Sequence, residues 1–136
     1  MLFGHEPPLA VGPGGVRTLS AGAGLPLGCR ELAPGPPETR RWRVSGDETV
    51  LLVTDGVTEA RDGAGAFYPL ADEVSRAVAA DPGVAEPARL AAFVRDGTMR
   101  HGGGHLADDT TVFAVRRAPA HRRPGGEAPE GGRLRS

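Results

Sequence analysis

An unbroken run of large aliphatic residues, Val50-Leu51-Leu52-Val53, is bracketed by Thr49 and Thr54. β-Branched residues favour extended backbone, and a run without alternation predicts a strand covered on both faces. Asp55-Gly56 follows at once. An Asp-Gly pair after a strand predicts a turn, with Gly56 free to take positive φ. A rigid element therefore delivers Asp55 to the rim of a core, where a charge is costly unless it is paired or bound to a metal. The pattern alone leaves two roles open for Asp55. It can cap its own backbone in an Asx turn, or it can serve a site.

The remaining elements follow from the same patterning. Residues 8–11 and 16–19 read as two short strands joined through Gly12-Pro13-Gly14-Gly15, a hairpin with a four-residue connection. Residues 20–28 hold Gly22, Gly24 and Gly28 but lack the Lys-Ser/Thr ending of a phosphate-binding loop, so a plain connection is expected. Residues 29–37 are irregular and carry Pro34, Pro36 and Pro37. Residues 40–44 alternate, with Trp42 and Val44 on one face, which predicts a half-buried strand pairing with the 49–54 strand across a turn at 45–48. Residues 61–65 read as a flexible surface loop, and Phe67, Tyr68 and Leu70 as anchors. The spacing of Leu70, Val74, Ala77 and Val78 predicts a helix over 71–80, stopped by Asp81-Pro82-Gly83. Glu86-Pro87-Ala88 opens a second helix, with Leu90, Phe93 and Val94 as its buried stripe, expected to fray through Gly97 and to end by Gly102-Gly103-Gly104. A polar turn at 105–110 precedes a final apolar strand over 111–115.

Composition adjusts this picture in few places. The 136 residues suit one domain, and with 4% aromatic residues its core must be built from Val, Leu and Ala. Residues 117–136 are mostly Arg, Gly, Pro, Ala and Glu, and are expected to form a disordered tail after an ordered 1–116. The formal charge of -1 gives no electrostatic case for a nucleic-acid partner. Every basic residue other than histidine is Arg, and Lys, Asn, Gln and Ile are absent, a bias that resembles a GC-rich genome more than physical selection. A single cysteine, Cys29, precludes an internal disulfide. No apolar stretch is long enough to span a membrane, and the first residues lack the pattern of a signal peptide, so a cytoplasmic location is expected.

Acids adjoin two of the apolar strands. Asp55 follows one, and Asp108 and Asp109 precede another. If those strands are antiparallel neighbours, Asp55 and Asp108 converge. Converging carboxylates repel, and a divalent cation resolves the repulsion. Oxygen-only ligands suit Mg²⁺ or Mn²⁺. The alternatives are that Asp108 or Asp109 caps a turn and that Glu59 is a solvated acid. His5, His101 and His105 fit no compact zinc spacing.

Four segments taken in order carry a resemblance: Gly4-His5-Glu6-Pro7-Pro8-Leu9, Gly24-Leu25-Pro26-Leu27-Gly28, Gly46-Asp47 through Thr54-Asp55-Gly56-Val57-Thr58-Glu59-Ala60, and Ala107-Asp108-Asp109-Thr110-Thr111. Over about 4–116 the chain resembles the bacterial PPM-type (protein-phosphatase-2C-like) serine/threonine phosphatases of the SpoIIE-like subgroup. The resemblance implies an α+β fold, the C-terminal part of an α/β/β/α sandwich with mainly antiparallel sheets and helices packed outside. It implies hydrolysis of phosphoserine or phosphothreonine with two Mn²⁺ or Mg²⁺ ions. Asp55 and Asp108 match the catalytic metal-binding positions, and Asp109 is a further metal-ligand candidate. The implied partner is a phosphorylated regulator of the anti-sigma-factor antagonist type in bacterial signalling. The family's early Gly-Asp motif has no counterpart here, and Pro69 stands where Gly is common. An upstream sensor domain or N-terminal half is therefore expected, and the second reading is a non-catalytic, protein-binding remnant.

Overall fold

The computed structural model describes residues 2–3, 5–20, 23–24, 29, 32, 35, 39–105 and 109–118. The expected tail therefore lies almost entirely outside the described residues, as does Asp108. Six strands and three α-helices are present among the described residues: β1 (Leu2–Phe3), β2 (Leu9–Gly12), β3 (Gly15–Thr18), β4 (Ala23–Gly24), β5 (Thr49–Val53), α1 (Asp55–Thr58), α2 (Leu70–Ala80), α3 (Pro87–His101) and β6 (Val112–Arg116). A 3-10 helix, Pro82–Ala85, joins α2 to α3. β1 and β4 form a small parallel pair. The main sheet has the order β3-β2-β5-β6 and is antiparallel throughout.

The apolar run 50–53 forms a central strand as expected, with β2 on one edge and β6 on the other. Both edges being occupied, no strand forms at 40–44. Trp42 and Val44 are exposed, and the Arg43 carbonyl accepts from the Arg17 guanidinium at 2.6 Å. The first hairpin is tighter than expected, since Gly12 pairs with Gly15 and only Pro13 and Gly14 lie between.

Burial on β5 alternates, which corrects the expectation of two covered faces. Thr49, Leu51 and Val53 are buried, while Val50 and Leu52 are half-buried. Both longer helices lie on the first face, where Leu9, Val11, Leu51 and Val53 meet Val74 and Val78 of α2 and Leu90 and Val94 of α3. The second face carries Val50 beside Val115 and Leu52 beside Phe113, and Phe113 and Val115 remain 59% and 45% exposed. Burying these four side chains would be favourable by roughly 25 cal/mol per Å² of apolar surface.

The two helices owe their positions to their stripes. α2 buries Leu70, Val74 and Val78, one residue per turn on one face. It stops where the Asp81 carboxylate accepts from the Gly83 amide. α3 starts at Pro87, with the Glu86 side chain accepting from the Arg89 amide. It does not fray at Gly97. That residue is buried in mid-helix because the Tyr68 hydroxyl occupies the space where a Cβ would stand. The 61–65 loop is a hydrogen-bonded turn. The Asp62 carboxylate accepts from the Ala64 and Ala66 amides, which holds it below the ordinary carboxylate range.

Candidate functional site

The main sheet ends, on one side, where β5 runs out and β6 begins. The pair Val53–Val112 closes the regular ladder there. Beyond it the chains remain tied together. The Thr54 amide donates to the Thr111 carbonyl at 3.1 Å. The Thr54 hydroxyl donates to the Asp109 carbonyl at 2.9 Å and accepts from the Thr111 amide at 2.9 Å. One hydroxyl thereby uses both its donor and its acceptor capacity. The antiparallel adjacency on which convergence of the acids depended is present.

Asp55 begins α1, a single turn, and its side chain is exposed. Its Oδ1 accepts from the Gly56 amide at 3.0 Å, so local backbone capping takes part in holding it. Gly56 does not adopt positive φ, contrary to the turn expectation. It is glycine for another reason. A Cβ there would stand 2.6 Å from the Asp109 carbonyl oxygen and 3.1 Å from its carbon. The Thr110 hydroxyl adds a long contact to the Gly56 carbonyl at 3.4 Å. Gly56 and Val57 are buried under this crossover, while Asp109 is exposed.

The other candidate acids and imidazoles fall elsewhere. Glu59 is exposed at the end of α1. His101 places Nε2 2.9 Å from the Ala66 carbonyl and its ring against Tyr68. His5 Nδ1 lies 2.8 Å from the Glu6 carbonyl. A cavity of about 340 Å³ opens at the same sheet end on the helix side, bordered by Glu6, Thr18, Thr58 and Asp72. Among the described residues its lining contains the acids Glu6 and Asp72 and no base.

Asp55 and Asp109 are hard oxygen donors of the kind Mg²⁺ and Mn²⁺ accept. Among the described residues, however, no group of three or more His, Cys, Asp or Glu could hold a metal ion. An octahedral ion of this class takes about six ligands, so the described residues do not form a metal centre by themselves. Sequence reasoning singled out the acids but missed Thr54 as their connector. The signal was a hydroxyl residue directly before Asp-Gly.

The family model of Stage II sporulation protein E (SpoIIE) matches residues 1–118. The chain belongs to the SpoIIE family. This SpoIIE-family chain also matches a solved structure, the phosphatase domain of the cell fate determinant SpoIIE from Bacillus subtilis, described as Mn presoaked. The TM-score is 0.57 at 16% identity, over 90% of this chain and 50% of that one, which supports a shared fold. The chain thus spans about half the length of the solved domain it matches. No curated protein matches significantly. No helix among the described residues is long and apolar enough to cross a membrane.

Proposed function

We propose that this SpoIIE-family chain supplies one edge of a metal-dependent phosphoserine/phosphothreonine phosphatase site. The observation that carries the reading is the crossover at the sheet end. It sets the Asp55 turn against the segment that contains Asp109 and follows Asp108. In this reading Asp55 and Asp108 are the catalytic metal-binding acids and Asp109 an additional ligand. The remaining ligands come from the half of the domain that this chain does not match. The ions are Mn²⁺ or Mg²⁺, whose preference for oxygen donors fits these acids. The substrate is a phosphorylated bacterial signalling protein of the anti-sigma-factor antagonist type, met in the cytoplasm.

The open sheet face supports the same division. Val50, Leu52, Phe113 and Val115 form an apolar surface suited to a second sheet packed face to face. The test is hydrolysis of p-nitrophenyl phosphate with Mn²⁺. The 136-residue chain alone is expected to show little turnover. Joined to a complementing N-terminal half, it is expected to become active, and Asp55→Ala or Asp108→Ala is expected to abolish that activity. Full metal-dependent activity after Asp55→Ala would overturn the site assignment. A joined protein that binds a phosphorylated regulator without turnover would favour the non-catalytic binding module instead.

A further inference from the structure

We propose that Thr54 is the positioning residue that sets the spacing between the Asp55 turn and the 109–111 segment, an inference that rests on the proposed site at this edge. The sheet register alone does not settle that spacing. Regular pairing stops at Val53–Val112, and beyond it β5 bends into α1. From there the two acid-bearing segments are tied by contacts outside the ladder, among them the long contact of the Thr110 hydroxyl to the Gly56 carbonyl.

Thr54 supplies three of these contacts. Its amide continues the ladder by one bond to the Thr111 carbonyl. Its hydroxyl then reaches past that bond in both directions, accepting from the Thr111 amide and donating to the Asp109 carbonyl. The second contact matters most, because it grips the backbone of an acid that the ladder does not reach. Gly56 sets the opposite limit. Its bare Cα lets the Asp109 carbonyl approach to a distance at which a Cβ would collide. Thr54 pulls the segments together and Gly56 permits the approach. The hydroxyl is the functional part of Thr54, so Ser serves in its place, whereas isosteric Val keeps the shape and loses both side-chain bonds.

The test compares wild type, Thr54→Ser and Thr54→Val in the full chain by amide hydrogen exchange, without metal. Loss of two hydrogen bonds is expected to speed exchange of the Thr111 amide about tenfold or more in Thr54→Val. Thr54→Ser is expected to restore slow exchange. The amides of Leu52 and Phe113, opposite each other deeper in the ladder, serve as controls for global loss of structure. A Thr111 amide as protected in Thr54→Val as in wild type, or no rescue by Ser, would overturn the proposal.

A second arm separates this inference from the site reading beneath it. Millimolar Mn²⁺ is added to each protein joined to the complementing N-terminal half, and paramagnetic broadening is followed at the Asp55 and Asp109 amides. Joint broadening in wild type and in Thr54→Ser, with one segment released in Thr54→Val, supports both. Equal broadening of both segments in all three proteins overturns the role of Thr54 and leaves the site standing. No broadening at either segment in wild type overturns the site reading, and the positioning role falls with it.

Discussion

Gly56 shows how a motif residue can be recognised for the wrong physical reason. The Asp-Gly pair suggested positive φ, yet Gly56 lies outside that region and is needed for a close approach to the Asp109 carbonyl. Gly56→Ala is therefore expected to destabilise by about 1–3 kcal/mol through overpacking. Urea unfolding should show a lower midpoint, with the Asp109 and Thr110 amide signals displaced. A wild-type midpoint with those signals unmoved would contradict the close approach. Tyr68 gives the converse case. Its hydroxyl is buried against Gly97 and has no hydrogen-bond partner among the described residues, and burial pushes its ionisation upward. Tyr68→Phe removes a desolvated, unpaired group, so thermal unfolding should be unchanged or raised, by up to about 1 kcal/mol. A clear fall in melting temperature would reveal a partner for that hydroxyl. Neither role was legible in the sequence, because each depends on a residue at least 29 positions away.

At the scale of elements, the helices were the most legible. Their stripes at Leu70, Val74 and Val78 and at Leu90 and Val94 give the buried faces directly. The failed strand at 40–44 shows what periodicity omits. An alternating segment becomes a strand only when an edge is open to it, and β2 and β6 take both edges of β5. A charge cluster holds the segment there instead. Arg17 makes a fork to Glu48, with Nε to Oε1 at 2.9 Å and a second nitrogen to Oε2 at 3.0 Å, while the Ser45 amide donates to Oε2 at 2.7 Å. The Arg17 hydrogen bond, reinforced by that amide, holds the Glu48 carboxyl below its ordinary range. A lowered folded pKa stabilises above the unfolded value and loses that contribution as pH falls through the folded one. The stability difference between wild type and Glu48→Gln should thus be largest near neutrality and shrink below about pH 4.3. Urea midpoints measured across that range test it, and a difference independent of pH would count against the fork.

At the scale of the whole molecule, the described residues form a four-stranded sheet with the two longer helices on one face and an apolar, half-open second face, beside the small β1–β4 pair. A surface of this kind marks an interface. The chain alone is expected to self-associate through Val50, Leu52, Phe113 and Val115, the positions a second sheet would cover in a complete domain. Sedimentation velocity should show an average mass that rises with concentration. The double variant Phe113→Ser, Val115→Thr should shift the population toward monomer. A sharp wild-type monomer at all concentrations, with cooperative unfolding, would show that this face needs no cover. The same geometry explains why β5 looked buried on both sides. Its residues are apolar enough for two covered faces, but among the described residues the helices cover one of them.

The sequence by itself determined the elements whose signal is local. These are the β5 run, the two amphipathic helices and the acids at the strand ends, because side-chain periodicity and turn chemistry act within a few residues. It also carried the family resemblance, through Thr-Asp-Gly-Val-Thr-Glu-Ala and the later Asp-Asp-Thr-Thr. Tertiary structure alone decided the strand order, the two occupied edges of β5, the place of Gly97 under Tyr68 and the bonds from Thr54 to Asp109 and Thr111. Those features depend on which distant segments meet, and hydroxyls and glycines carry no periodic signal that names their partners.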